Sequence, residues 1–135
     1  MPSLLQCLMN SKIMNQLRVI AEDVAPVSRA RIAAAIVIRG RIVSIGTNQW
    51  RTSPLQKRFQ THESSVHTHA EIAAIKNFLR RGRAVELTNA TLYIARRKHT
   101  DANDGVMVDG LAAPCPGCQR AIEFFKIKNV IFTRG

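Results

Sequence analysis

The sequence is poor in cysteine, in aromatic rings and in acidic charge, and each shortage removes a class of protein from consideration. Its 135 residues contain three cysteines, too few for a disulfide framework, which agrees with a reducing compartment. No apolar stretch approaches the roughly 20 residues of a membrane-spanning helix; the longest runs, such as Ile32 to Ile38, are far shorter. The N-terminus lacks the continuous apolar core of a signal peptide, so the expected location is cytoplasmic, with no membrane partner. No repeat or linker interrupts the chain, and 46% hydrophobic residues over this length fit a single domain, residues 1–135, with a real core. Aromatic residues make up 5%, which is thin for a surface that stacks successive bases of a single strand. Nine acidic residues face twenty basic ones, a formal charge of +11. Such a balance commonly serves phosphate neutralisation, so a nucleic-acid partner is compatible with it. The charge is scattered, with clusters at Lys57-Arg58, Arg80-Arg81-Arg83 and Arg96-Arg97-Lys98.

Hydrophobic periodicity divides the chain into elements in the order αββαβαβ. Ser3 is placed to cap a helix running to about Ala21, because Leu5, Met9, Ile13, Leu17 and Ile20 recur at helical spacing. Cys7 lies in that stretch and is expected in the core. After a loop with Pro26 and Ser28, Arg31 to Ile38 and Arg41 to Ile45 are rich in branched side chains, and Gly40 with Arg41 is expected to make a tight hairpin turn between them. Val66 to Arg81 reads as a helix with Ile72, Ile75, Phe78 and Leu79 on its core face and Gly82 at its end. Ala90 to Ala95 reads as a buried strand, Cys115 to Phe125 as a helix and Asn129 to Thr133 as a last strand.

Two short motifs carry chemistry. His69-Ala70-Glu71 opens one predicted helix, and Pro114-Cys115-Pro116-Gly117-Cys118 opens another. An imidazole and two thiolates give a zinc ion three firm ligands and leave a tetrahedral ion one position for water, the mark of a catalytic site. Zinc lowers the pKa of such a water from about 15.7 towards about 7. Glu71, two residues beyond His69, starts the same helix but projects differently, and can shuttle protons without ligating the metal. Pro114 suits a helix's first turn, and the amides of that turn, facing Cys115 and Cys118, favour thiolates. Taken alone, Cys-x-x-Cys also describes a structural zinc knuckle or a redox pair. A structural site needs a fourth ligand. His67 is too close to His69 to share an ion from one helix face, and His99 sits in a polar loop. A redox pair leaves His69 and Glu71 unexplained. With both motifs present the catalytic reading is the stronger.

These residues match the H-x-E and P-C-x-x-C signature of zinc-dependent nucleobase deaminases, and the chain resembles the cytidine deaminase superfamily. The resemblance covers most of the chain from the hairpin to Phe132. It implies a three-layer α/β/α sandwich with a mixed sheet of about four strands, and two zinc-bearing helices side by side beneath it. Two departures matter. Residues 72–113 separate Glu71 from Pro114, a longer gap than usual, with the excess after Tyr93, so Arg96 to Ala113 is expected to be an active-site loop. The chain ends after its last predicted strand, where most relatives continue into another strand and helix, and substrate contacts from that segment are not carried over.

Histidine at position 69 separates branches of the superfamily. Free-cytidine deaminases usually place cysteine there, whereas deoxycytidylate, tRNA adenosine and polynucleotide cytidine deaminases use histidine. Leu111-Ala112-Ala113 stands where the polynucleotide enzymes usually carry Ser-Trp-Ser, and Ala113 where the tRNA enzymes often carry Glu. The overall look is closest to short deoxycytidylate-deaminase-like proteins that phages often encode. The resemblance therefore implies hydrolytic deamination of a cytosine nucleotide, dCMP to dUMP. One zinc per chain would be held by His69, Cys115 and Cys118, activating a water for attack at C4, with Glu71 as proton shuttle. The alternative is a deaminase acting on single-stranded DNA or RNA, on cytosine or adenine. Asn48 matches a position where histidine-type relatives keep a substrate-contacting asparagine, although asparagine is also a common turn residue. Ala70 and Arg96 are the other expected substrate-binding residues, and Trp50 either stacks on a base or packs over the core. Family members mostly assemble, and a final strand with a free edge suits a homo-oligomer.

Overall fold

The computed structural model describes residues 3–27, 30–60, 67–100, 102 and 104–135; Ser28 and Val66, invoked above, lie outside them. Helix α1 spans Leu4–Glu22 and begins where expected, the Ser3 hydroxyl accepting from the Gln6 amide at 3.1 Å. Only its second half packs: Ile13, Met14, Leu17 and Ala21 are buried, while Leu4, Leu5 and Leu8 are exposed. Cys7 lies on this protruding end and is exposed, not in the core.

Strands β1 (Arg31–Ile38) and β2 (Arg41–Thr47) form the expected hairpin. Its turn residues are Arg39 and Gly40, with φ of 54° and 75°, so Arg41 opens the strand and does not belong to the turn. Period-two alternation sends the two faces of β1 to different helices. Ala33, Ala35 and Val37 meet α1, while Ala34 and Ile36 join a larger cluster on the other face. Helix α2 (Pro54–Phe59) was not expected. Helix α3 spans Ala70–Leu79, shorter than the expected Val66–Arg81, because the backbone of Thr68 is engaged in an antiparallel bridge with Gln49. Its Ile72, Ile75 and Phe78 are buried as expected. Gly46 lets β2 lie directly on α3, since a Cβ there would sit 2.2 Å from the Ala74 nitrogen.

A 3-10 turn (Ala84–Asn89) leads into β3, which runs Thr91–His99, well beyond the expected Ala95. The segment expected to be an active-site loop is largely a hairpin, because β3 turns back into β4 (Met107–Gly110). Helix α4 (Pro116–Phe124) and β5 (Asn129–Phe132) complete the chain. The sheet therefore has five strands, not four, and the order αββααββαβ replaces αββαβαβ. One edge of β3 is paired along its length by antiparallel β1. The other is shared between β5, parallel to Thr91–Ile94, and β4, antiparallel to Arg96–His99. With α1 on one face and α2, α3 and α4 on the other, the architecture is the expected three-layer α/β/α sandwich with a mixed sheet. Among the described residues no helix is long and apolar enough to cross a membrane.

Candidate active site

The two motifs meet at helix N-termini on one side of the sheet. His69 is the N-cap of α3, and its backbone N–H donates to Oε1 of Gln56 on α2 at 3.0 Å. Gln56 is buried, and its own amide is held by the capping Ser53 hydroxyl at 3.2 Å. Sequence reasoning missed this support. The Ser53-Pro54 pair, an N-cap followed by proline at the first helical position, was the available signal. Cys115 is the N-cap of α4, with Pro116 rather than Pro114 in the first turn, and its Sγ accepts from the Cys118 amide at 3.4 Å.

Nδ1 of His69 lies 3.4 Å from Cys115 Sγ and 3.3 Å from Cys118 Sγ, and all three donors fall within 4.8 Å of one another. Zinc–sulfur and zinc–nitrogen bonds of about 2.3 and 2.0–2.1 Å in a tetrahedron call for N···S separations of about 3.6 Å. The spacing thus fits the ion within a few tenths of an ångström.

The electrostatics agree with a metal centre. A hydrogen bond from the Cys118 thiol, together with His69 and the Cys118 amide, pushes Cys115 down to about 3 against the cost of its burial. Cys118 is pushed up by that same thiolate and by its burial, so in the metal-free pair one thiol holds the proton that the other has released. A metal bound by His69, Cys115 and Cys118 would take the place of that last proton. The Cys115 hydrogen bond raises His69 above its ordinary value, against desolvation. Glu71, 6% exposed in the first turn of α3, is raised by burial, its own backbone N–H and His69 opposing. A buried carboxyl beside a metal triad, drawn towards neutrality, suits a group that gives and takes protons.

His69, Glu71 and Cys115 open into a cavity of about 250 Å³, just below the range of about 300 to 1,000 Å³ usual for ligand sites. Its walls are mainly apolar, from Val27, Ala30, Ile32, Ile94 and the stretch Leu111–Ala113, with Asn48, His67, His69, Glu71, Arg96 and Cys115 as the groups able to bond. Asn48, 9% exposed, also ties the β1 entrance together: its Oδ1 accepts from the Ile32 amide at 3.0 Å and its Nδ2 donates to the Ala30 carbonyl at 2.9 Å. One amide hydrogen and one lone pair remain for a ligand. Ala70 is fully buried against the sheet and its side chain does not line the cavity.

The basic cluster on β3 divides by strand parity. Arg96 faces the cavity. Arg97 points to the opposite face, where it pairs with Glu22 at 2.9 Å and with Asp109 at 2.7 Å, beside the Arg18–Asp109 pair at 2.9 Å. Within the expected active-site segment, Arg97 therefore does not border the metal site, because successive strand residues alternate faces. Arg96 is firmly seated. Its amide donates to Thr133 Oγ1 at 3.0 Å, which donates to the Gly110 carbonyl at 2.7 Å, and a Cβ on Gly110 would lie 2.9 Å from Arg96 Cδ. Trp50 is 63% exposed, so it does not pack over the core. Its ring stands edge-on to His67, with centroids 6.0 Å apart.

Residues 9–134 match the family model described as the cytidine and deoxycytidylate deaminase zinc-binding region. No curated protein matches the sequence. Among solved structures the chain is similar to the dCMP deaminase of the cyanophage S-TIM5, with a TM-score of 0.64 and 19% identity over 94% of this chain and 83% of the phage chain. It is also similar to guanine deaminase from Bacillus subtilis, with a TM-score of 0.58 and 19% identity over 92% of this chain and 63% of that one. A third likeness is to a structure from studies of A-to-I editing by tRNA:A34 deaminases, with a TM-score of 0.54 and 22% identity over 90% of this chain and 74% of that chain. At such identities the likeness establishes a shared fold.

Proposed function

The chain belongs to the family of zinc-binding cytidine and deoxycytidylate deaminases, and from that premise we propose that it hydrolyses the exocyclic amine of a cytosine nucleotide, converting dCMP to dUMP. The observation that carries this reading is the convergence of His69, Cys115 and Cys118, with His69, Cys115 and the buried Glu71 lining a cavity of about 250 Å³. His69 Nδ1 and the two thiolates hold the metal. Bound zinc supplies Lewis-acid activation of a water at neutral pH.

Glu71 takes a proton from the attacking water and delivers it to N3 of the base as the new C4–O bond forms. It then carries the second proton to the amino nitrogen, the C4–N bond breaks, and ammonia leaves behind the uracil carbonyl. The apolar walls exclude bulk water, and the cavity's small volume favours a single base. Asn48 offers its remaining amide hydrogen and lone pair to the sugar or base. Arg96 is the cation for a single phosphate.

A second reading, deamination within single-stranded nucleic acid, is favoured by one observation: the exposed Trp50 ring beside the cavity-lining His67, on a chain of charge +11. One assay decides between them, ammonia release from cytidine, dCMP, dCTP, adenosine and single-stranded oligonucleotides side by side. Fastest turnover of dCMP supports the nucleotide reading. An oligonucleotide turned over far faster than dCMP replaces it with the second.

A further inference from the structure

His67 is a cavity residue with no role in the chemistry above. Its Nδ1 is buried and, among the described residues, has no hydrogen-bond partner. A desolvated ring nitrogen left unpaired is costly, and buried polar atoms in native proteins nearly always find a partner, a water or a ligand. The ring is also held in place. It stands at 79° to Trp50, and runs nearly parallel to His69 at 26° with centroids 6.2 Å apart. The adjoining backbone is pinned by the reciprocal Gln49–Thr68 hydrogen bonds of 2.9 and 3.1 Å, and by the Thr68 hydroxyl donating to the Arg51 carbonyl at 2.6 Å. A polar atom on a fixed side chain that lines a ligand cavity, as His67 does, is preorganised for binding, because little side-chain freedom is lost when a contact forms. Metal ligation does not account for it, since the three converging donors already form a complete set without His67.

We infer that His67 is a substrate-binding residue whose Nδ1 hydrogen-bonds a sugar hydroxyl or phosphate oxygen of the bound nucleotide, with Trp50 as the wall that fixes its ring. The inference rests on the nucleotide reading above, in which the C4 edge of the base is already engaged by Glu71 and the metal ligands. The oxygen-bearing part of the nucleotide is then what remains for His67. Arg96 Nε, the other unpartnered nitrogen of this cavity, makes the same demand from β3 for an acceptor. The two nitrogens hold the nucleotide from two different elements of the fold.

The test is steady-state kinetics on the zinc-loaded protein with dCMP and deoxycytidine, comparing wild type with His67→Phe, His67→Asn and His67→Gln, zinc content being measured for each. Phenylalanine keeps the ring against Trp50 and removes Nδ1; asparagine returns an amide near the δ position. His67→Phe should raise KM for dCMP about five- to tenfold, the effect of one lost hydrogen bond, with kcat and zinc content unchanged. His67→Asn should recover most of that loss. A rise confined to dCMP assigns the contact to the phosphate, and an equal rise with deoxycytidine assigns it to the sugar. His67→Phe with wild-type KM and full zinc overturns the inference, as does His67→Asn impaired to the same degree as His67→Phe. If His67→Phe unfolds or loses zinc, the same decision is read from asparagine against glutamine, which differ by one methylene in where the amide stands; a higher KM for glutamine supports the inference and equal values overturn it. A wild-type protein inactive on both substrates overturns the nucleotide reading and this inference with it, whereas the failures above leave that reading standing.

Discussion

Replacing Glu71 by glutamine separates the proposed chemistry from folding and metal binding. The substitution conserves volume and shape, so the buried pocket left by the 6%-exposed side chain is refilled without a cavity. His69, Cys115 and Cys118 are untouched, so about one zinc per chain should remain. Glutamine cannot accept and return a proton, and the loss should be the 10²–10⁴-fold typical of general acid–base catalysis, roughly 2.7–5.4 kcal/mol of barrier. Stability should move the other way or not at all. Burial raises the pKa of Glu71, which means the folded, metal-free chain bears a cost for carrying its carboxylate at neutral pH, and a neutral amide relieves it. Turnover of dCMP is followed by ammonia release, metal by elemental analysis, and stability by thermal unfolding after chelation. A variant within a fewfold of wild-type activity refutes the shuttle. Loss of zinc would make Glu71 a ligand and refute the three-donor site.

Cys118→Ser should lose the metal and lower the melting temperature of the loaded protein, because the ion joins α3 to α4 and its binding energy is folding energy; retention of a full zinc equivalent would contradict this. Arg96→Ala should raise KM for dCMP while sparing any slow reaction on deoxycytidine, whereas Arg97→Ala should leave the kinetics alone and cost stability, since Arg97 is spent on Glu22 and Asp109; equal kinetic effects would put both on the same face. Asp109 has its carboxyl held below the ordinary value of 3.8, burial opposing and hydrogen bonds from Arg18 and Arg97 prevailing. Its contribution is present above that value and lost as pH falls through the lowered one, so Asp109→Asn should cost up to about 1 kcal/mol at pH about 7, with the gap closing in thermal unfolding as pH falls below the ordinary carboxylate value. The exposed Leu4, Leu5 and Leu8 and the outer edge of β5, which has no strand partner among the described residues, call for covering surface, so a homo-oligomer is expected in light scattering at micromolar concentration, and a monodisperse monomer would contradict it.

Much of the site was legible because metal chemistry restricts side-chain types. Few residues supply neutral nitrogen and thiolate donors, and their local spacing places each pair at the start of a helix whichever way the helices pack. The first helix was legible for a similar reason, its start set by Ser3 and its buried half by Ile13 and Leu17. The burial of its first two turns was not, because periodicity marks a face as apolar without saying whether the sheet extends far enough to cover it. Cys7 was misplaced for that reason. The segment Arg96 to Ala113 was expected to be a loop because the stretch between the two motifs is longer than usual and its excess falls after Tyr93. It pairs as β4 because β5 covers only Thr91–Ile94 of that edge of β3, and the backbone groups from Arg96 to His99 needed partners.

The sequence by itself determined the kind of chemistry, since His69, Glu71, Cys115 and Cys118 carry it in their atoms, and it determined the alternation of helices and strands through periodicity. Only the tertiary structure decided which neighbours serve the site. Strand parity turned Arg96 inward and Arg97 away, the Gln49–Thr68 bridge brought His67 to the cavity wall, and Gln56 on an unforeseen helix came to hold His69. Those assignments depend on contacts between residues far apart in the chain, and local spacing carries no record of them until the sheet has formed and chosen its register.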